Sequence, residues 1–475
     1  MYVYRHTSST RMPLGGLNRQ KAVPAAEYWG RRLIALILGA WASSFVVGFQ
    51  AALSILTVVG MAAAVIGLRR PTIGLLGIGM LFTLDAVTAP LLLTGGLLRW
   101  NSLNYWMLIV IMLSITFLLR LSDIQSRLLE LFVLLLALEL LISPNKVLGI
   151  QVVFAIVIVF GLVVYFARID RDRSTWYWFG LVCGVLGGAG GLAFYLQQYR
   201  LPYVNPNISS FFPLTAVFAI CMSFPFAGDY RYGRSLLALM ALVNFAWVFL
   251  SGSRGSMLVG SCCMLFLFVQ TRRFSQRITI VTVALLLGFL VSVQFTDLQA
   301  KALDRLDLLV DPSRDSLIER TSGRSDLVLG GWYIFLDHPF GVGTGGFSVA
   351  WANLDYLEDI SNQVRGVEFP AHAGWIKIMA ENGIPGLVLF GGYVASFAVV
   401  GCYRRDRDLR AVGLLTTAVL GIAFISVEFQ WAKGLWFLAA GVTTLLHQEG
   451  IGMHLQGARL RKPIRNIIRP TRITS

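Results

Sequence analysis

The chain has 475 residues, 56% of them hydrophobic and only 14% charged, with a formal net charge of +15. Apolar runs of roughly 20 residues recur along it and match the thickness of a bilayer's hydrocarbon core, which excludes a string of soluble domains. The basic excess sits in short clusters between these runs, as in loops facing anionic lipid, and no recognition motif accompanies it, so nucleic-acid binding is excluded as well.

In chain order, residues 1–30 form a basic cytoplasmic tail and 31–296 hold eleven apolar spans. These fall near 32–49, 51–68, 72–93, 101–119, 128–143, 147–167, 175–196, 208–227, 235–250, 255–270 and 278–296. Residues 297–386 are a polar interruption. Three further spans lie near 387–403, 411–428 and 431–447, and residues 448–475 form a second basic tail. Several neighbouring runs are nearly continuous, so the expectation is an all-α polytopic membrane protein with about 12–14 transmembrane helices. Helices satisfy their backbone groups internally, which lipid requires. The first run passes straight into the second without a small-residue cleavage site and reads as an uncleaved anchor. Cys183, Cys221, Cys262, Cys263 and Cys402 lie in or at the ends of apolar runs with no CxxC spacing, as packing residues do. Neither a metal site nor a cofactor is expected.

Alternate gaps carry the arginines: Arg69/Arg70, Arg120/Arg127, Arg168/Arg171/Arg173, Arg231/Arg234, Arg272/Arg273/Arg277 and Arg404/Arg405/Arg407/Arg410, together with both tails. Of the 40 Lys and Arg residues, 28 fall on that side. The positive-inside rule makes it cytoplasmic, with both termini, and makes the long interruption an extracytoplasmic loop. Two shorter gaps join the loop on its side: Gln197–Asn207, containing Arg200 and Asn207, and the tight turn Ser251–Ser256 around Arg254.

Within the loop, helices are expected over Ala300–Leu309, Ser325–Leu336 and Phe347–Leu357. His338-Pro339 stops the second, and Gly341, Gly343, Gly345 and Gly346 form a tight turn. After His372 comes a short amphipathic helix, broken by Asn382-Gly383-Ile384-Pro385-Gly386 before the next span.

Several side chains stand out chemically. Arg254, between two apolar spans, is costly unless it is paired or functional, and the neighbouring backbone N–H groups offer an anion site. The plainer reading is an arginine snorkelling to headgroups. Arg320 and Arg324 flank Gly323 at a helix start, where planar guanidinium groups and N–H donors suit a phosphate; alternatively they pair with Glu319 and Asp326 on a solvated loop. His338-Pro339-Phe340-Gly341-Val342-Gly343-Thr344-Gly345-Gly346 lacks the lysine of a nucleotide-binding loop and reads as a structural turn. His372 can exchange a proton near neutral pH, with Glu368 and Glu381 close in sequence; a lone histidine is more often structural.

The order SGSRGS, then SGR, HPFGVGTGGF and HAGWIKIMAENGIPG, with the NPN of Asn205-Pro206-Asn207, resembles the O-antigen ligase and Wzy-type polysaccharide polymerase superfamily over about Arg200 to Tyr403. Known ligases carry a histidine followed by Asn, Ser or Gln, nine residues, then GxxG. Here His372-Ala373 precedes nine residues and Gly383-Ile384-Pro385-Gly386, so the spacing matches while alanine at the second position disfavours a strict ligase. The resemblance implies a GT-C-like fold in the bacterial inner membrane. It implies inverting transfer of a glycan from an undecaprenyl-diphosphate-linked donor to a sugar hydroxyl at the extracytoplasmic face. Carried over, Arg254 and Arg324 hold the diphosphate and His372 acts on the acceptor hydroxyl. Arg200, Arg320, His338 and Asn207 are expected substrate-binding residues. Polymerisation of O-antigen or exopolysaccharide repeats is the leading expectation, with ligation to lipid A-core as the alternative and a lipid-linked oligosaccharide flippase a more distant one. Expected partners are the lipid-linked donor, the glycan acceptor, the bilayer and a chain-length regulator. The site is expected in a crevice beneath the loop, with the glycine turn as the hinge that folds the loop over it.

Overall fold

The computed structural model describes residues 25–47, 59–60, 62–63, 66, 73–77, 79, 124–153, 156–157, 173–198, 206–271, 277, 324–354, 371, 373–426, 435–436 and 438–446. Among them every regular element is helical, as expected of an all-α polytopic membrane protein. The elements used below are α1 (Ala25–Val47), α2 (Ile124–Glu139), α3 (Arg173–Gln198), α4 (Pro206–Ser223), α5 (Gly233–Leu250), α6 (Arg254–Gln270), α7 (Arg324–Asp337), α8 (Phe347–Ala352), α9 (Gly374–Cys402) and α10 (Arg407–Ser426). Three helical stretches among the described residues are long and apolar enough to cross a bilayer: Gly233–Leu250, Gly374–Cys402 and Arg407–Ile425. The spans expected at 101–119 and 278–296 and the loop helix Ala300–Leu309 lie outside the described residues. The expected helix Phe347–Leu357 is described as helix only over Phe347–Ala352.

α3 organises the central bundle because its glycines leave a surface onto which neighbours fit closely. A Cβ on Gly184 would lie 3.0 Å from Ile220 Cδ1 of α4 and 3.1 Å from Met240 Cβ of α5, and one on Gly188 would lie 3.4 Å from Val243 of α5. In lipid, apolar side chains gain little from leaving one hydrocarbon medium for another. Close backbone approach between small residues therefore takes over as the source of helix–helix attraction. Asn244 adds a polar tie, its Nδ2 donating to Gly184 O at 2.9 Å and to Met240 O at 2.7 Å.

These contacts fix which helix ends lie together. α3 and α4 are antiparallel, with Gly180 beside Ser223 and Gly187 beside Ala216, while α3 and α5 are parallel, with Gly184 beside Met240 and Gly191 beside Trp247. The end of α3, the start of α4 and the α5–α6 turn therefore share one end of the bundle. Ser210 near the start of α4 and Ser256 near the start of α6 share a hydrogen bond of 2.7 Å there. At the opposite end, Arg234 of α5 lies 4.0 Å from Asp408 of α10. The turns carrying Arg231/Arg234 and Arg404–Arg410 thus occupy a common basic end, opposite the end that carries Arg254.

α9 is not one rod. Thr417 of α10 donates to Val394 O at 3.1 Å, and Trp375 donates through Nε1 to Gly421 O at 2.8 Å. In a straight helix Trp375 and Val394 would stand about 28 Å apart, whereas their partners on α10 are separated by only about 6 Å. Gly383, with φ 59° and ψ −151°, breaks the helix, and the first half folds back along the second. Trp375 accordingly packs edge-on against Phe390, ring centroids 5.0 Å apart, and Ile378 reaches to 3.3 Å from a Cβ placed on Gly386. The break expected at Asn382–Gly386 is present, as a reversal rather than a kink between a loop helix and a span.

That backbone region is open essentially to glycine alone, and another residue forced into it costs about 1–3 kcal/mol. A Cβ on Gly383 would also meet Phe340 C at 2.5 Å, while one on Gly421 would meet nothing within 4 Å. Gly383→Ala is expected to lower the thermal unfolding midpoint in detergent micelles by several degrees, and Gly421→Ala to leave it unchanged or slightly raised.

Candidate functional site

A helix that breaks inside a membrane protein leaves carbonyl and amide groups that must be satisfied locally. Here the glycine turn after α7 supplies the partners. Val342 N–H donates to Ala380 O at 3.1 Å and Gly343 N–H to Glu381 O at 2.9 Å, while Ile384 N–H donates to Pro339 O at 2.9 Å. The turn lies along the reversal of α9 as a short backbone ladder.

Two carboxylates then fasten the turn. Glu381, 1% exposed, accepts from Gly345 N–H at 2.9 Å through Oε2 and from Phe347 N–H at 3.2 Å through Oε1. Lys377 Nζ lies 3.7 Å from Oε1, one turn earlier on the same half-helix and equally buried. Glu139, the last residue of α2, receives Nδ2 of Asn382 and, at 3.1 Å, the hydroxyl of Thr344; Asn382 Nδ2 also reaches Thr344 Oγ1 at 3.1 Å. Thr344 and Asn382 have no exposed surface. The bonds to Glu381, which faces Lys377, are charge-assisted and stronger than neutral ones, and in a low-dielectric interior each partner in either set is costly to leave unmatched.

The glycines explain why the turn fits. Gly341, Gly343 and Gly345 have φ of 88°, 91° and 85°. A Cβ on Gly343 would stand 2.8 Å from Ser143 Cα, and one on Gly345 would stand 2.8 Å from Gly149 Cα. The turn is wedged between the α9 reversal and the 139–149 connection after α2, its amides already engaged by protein oxygens. It is neither a phosphate cradle nor the expected hinge, because both its faces are filled; it rivets three distant parts of the chain together.

The other constellation surrounds Arg254, the first residue of α6, which is half-buried. Gly252 takes φ 69° in the turn before it. The N–H groups of Ser251 and Gly252 donate to Trp247 O and Phe249 O, each at 3.0 Å, and Ser253 N–H to Ser251 Oγ at 3.3 Å. Those three amides, expected to be open to an anion, are thus already committed. What remains is the helix terminus itself: Ser253 Oγ turns to Ser256 Oγ at 3.1 Å and makes no cap. α9 also starts without a side-chain cap, its N-cap being Ala373. An uncapped helix N-terminus presents N–H donors and the positive end of the helix dipole to an anion.

The expected residues are described unequally. Arg254 lies at the end of the bundle shared by the starts of α4 and α6. Arg324 is the first residue of α7, and Asn207 sits in the first turn of α4. His338 is exposed just beyond α7, its N–H donating to Ile334 O at 2.8 Å and its carbonyl accepting from Gly341 N–H at 2.8 Å. His372, Arg200 and Arg320 lie outside the described residues. The flanking Ala371 and Ala373 are 2% and 6% exposed. The junction residues Glu139, Thr344, Asn382 and Lys377 were not singled out as site residues from the sequence. Their signal was a carboxylate ending an apolar run and a Lys–Glu pair four residues apart ahead of a helix break. Among the described residues no group of three or more His, Cys, Asp and Glu could hold a metal ion.

Glu139→Ala leaves the Asn382 amide and the Thr344 hydroxyl without their shared acceptor. It is expected to cost about 1.5–3 kcal/mol of unfolding free energy, with Glu139→Gln, which keeps an acceptor oxygen, losing less than half of that. Reversible SDS-induced unfolding in mixed micelles measures both.

Residues 237–391 match the family described as O-Antigen ligase. The stretch runs from α5 through the α9 reversal and includes Arg254, Arg324, the glycine turn and His372; Glu139 lies outside it. No curated protein matches the chain.

Proposed function

From the O-antigen ligase and polymerase superfamily domain carried by residues 237–391, we propose that the protein is a glycosyltransferase of the bacterial inner membrane that polymerises lipid-linked O-antigen or exopolysaccharide repeats. The basic end of the bundle is its cytoplasmic side by the positive-inside rule, which puts Arg254 and the α9 reversal at the extracytoplasmic side. The donor is a glycan on undecaprenyl diphosphate. His372 takes the proton from an acceptor hydroxyl, whose oxygen attacks the anomeric carbon as the carbon–oxygen bond to the diphosphate breaks, with inversion. The electron pair leaves on the diphosphate. Arg254 and Arg324, each the first residue of a helix, meet that developing charge with guanidinium groups and helix N-termini together. Arg200, Arg320, His338 and Asn207 are binding candidates for the donor or acceptor glycan.

The observation that carries this reading is the O-antigen ligase match over residues 237–391, a stretch that includes Arg254, Arg324 and His372; α6 begins at Arg254 and α9 two residues after His372. Ala373 favours polymerisation over ligation. The position after the histidine, polar in known ligases, is here a buried alanine that serves as the N-cap of α9 and offers no side-chain hydrogen bond.

In proteoliposomes with a labelled undecaprenyl-diphosphate repeat unit, the wild type is expected to build a ladder of lengthening lipid-linked product. His372→Ala is expected to reduce transfer by about 100-fold or more, and Arg324→Ala and Arg254→Ala by a comparable factor. Transfer of preformed polymer to lipid A-core, without a ladder, would assign the ligase reaction instead. Full transfer by His372→Ala would overturn the mechanism.

A further inference from the structure

α7 is amphipathic in the opposite sense to a helix in water. Asp326 is 6% exposed, whereas Val328, Leu329, Trp332 and Leu336 are 41%, 42%, 47% and 54% exposed. Val328, Trp332 and Leu336 follow one another at four-residue intervals on one face, and Phe340, four residues further on and 74% exposed, extends the series past the helix end. Gly330 and Gly331 face inward, where Cβ atoms would meet Trp351 at 2.5 Å and Phe347 at 3.3 Å. The inward side is thus close-packed and carries Asp326, the outward side carries the large apolar groups, and Asp337 is exposed at the helix's last position. A contiguous apolar face of this kind is rare on a protein surrounded by water and requires a covering.

The surfaces adjoining this face are apolar as well. Pro339, next to Phe340, accepts the Ile384 N–H at 2.9 Å. Ile384, Val388 and Val399, at 49%, 64% and 54% exposure, form the outward face of the second half of α9, a helix apolar enough to cross a bilayer. On the other side of the glycine turn, α2 and its connection expose Leu131, Leu134, Leu138, Leu141 and Ile142. The α7 face therefore continues the surface that α9 presents to hydrocarbon. Gly331 lies beside Ile376, and Gly343 hydrogen-bonds Glu381. α7 thus runs in the same direction as the folded-back first half of α9, rising beside it toward the reversal rather than standing off the bundle.

We propose that α7, although it belongs to the polar interruption of the chain, rests its outer face in the acyl chains of the bilayer's phospholipids. The loop is held laterally by lipid as well as from beneath by the Glu139–Glu381 junction. This inference needs only the membrane character of the protein and is independent of its reaction.

The test is photo-crosslinking in proteoliposomes of phosphatidylethanolamine and phosphatidylglycerol. Benzoylphenylalanine replaces Trp332 or Leu336 in the full chain, Val388 as the hydrocarbon-facing reference, or Arg405 at the basic turn as the contrast. All four side chains are exposed, and monodisperse elution in detergent confirms folding before reconstitution. After irradiation, intact-mass analysis is expected to show phospholipid adducts at 332 and 336 within about threefold of the Val388 yield. Those adducts should collapse to fatty-acid mass on alkaline hydrolysis, and they should exceed the acyl-chain adduct at Arg405 about tenfold. Absence of lipid adducts at 332 and 336 while Val388 gives them would overturn the proposal. Crosslinking to a second copy of the chain would also overturn it, as would adducts that form only when polyprenyl diphosphate is added.

Discussion

The structure depends on how a membrane helix can be broken. Reversing α9 at Gly383 strands the carbonyls of Ala380 and Glu381 and the amide of Ile384 where water is scarce, and each would cost several kcal/mol if left alone. The turn after α7 answers all three with its own backbone. It stays in place because the Glu381 carboxylate takes two of its amides and Glu139 takes its threonine. The break, the turn and the two acids form one unit in which each part makes the others tolerable. Glu139 is the long-range member, since α2 lies about a hundred residues before the domain whose geometry it completes.

That unit bears on chemistry through placement. Folding the first half of α9 back on the second carries its start from the tip of the helix to the level of Phe390 and Gly421, beside the C-terminal half of α10. The α5–α6 turn with Arg254 lies at the same end of the bundle, and α6 packs against α10. In the proposed reaction a leaving diphosphate is met by helix termini and arginines that are already oriented, so little reorganisation accompanies charge development. The chain needs its polar interruption for side chains, and equally to close off backbone that the reversal exposes.

Much of this was legible in the sequence because membranes impose coarse rules. Span positions followed from apolar length: the runs read at 235–250 and 255–270 are α5 and α6 to within two residues. Alternating arginines grouped the turns at Arg231/Arg234 and Arg404–Arg410, which the helix packing also brings to one end. The end of α7 followed from His338-Pro339, where proline chemistry is local, and its start falls one residue before the expected Ser325. The direction of the α9 break was not legible. Asn-Gly-Ile-Pro-Gly announces that a helix stops, but whether the chain continues or doubles back depends on partners such as Trp375 with Gly421 and Phe390, which no local pattern encodes. Glu139 was missed for the same reason, because a single acid at the end of an apolar run shows neither Thr344 nor Asn382. The serines before Arg254 misled in the other direction, since their amides are consumed by the turn they create. Glycines at four-residue intervals in α3 were a readable packing signal that passed unused.

The doubled-back α9 also bears on how the chain enters the membrane. Insertion machinery sorts segments by hydropathy as they emerge, and Gly374–Asn382 carries Lys377 and Glu381, which oppose burial until they face each other and the glycine turn exists to receive the acid. The second half, Ile384–Cys402, is uniformly apolar and partitions on its own. The turn after α7 precedes α9 in the chain, so the group that receives Glu381 is made before the acid itself. What holds the first half of α9 in the bundle is therefore side-chain pairing, Lys377 with Glu381 and Glu381 with the turn, more than hydrophobicity.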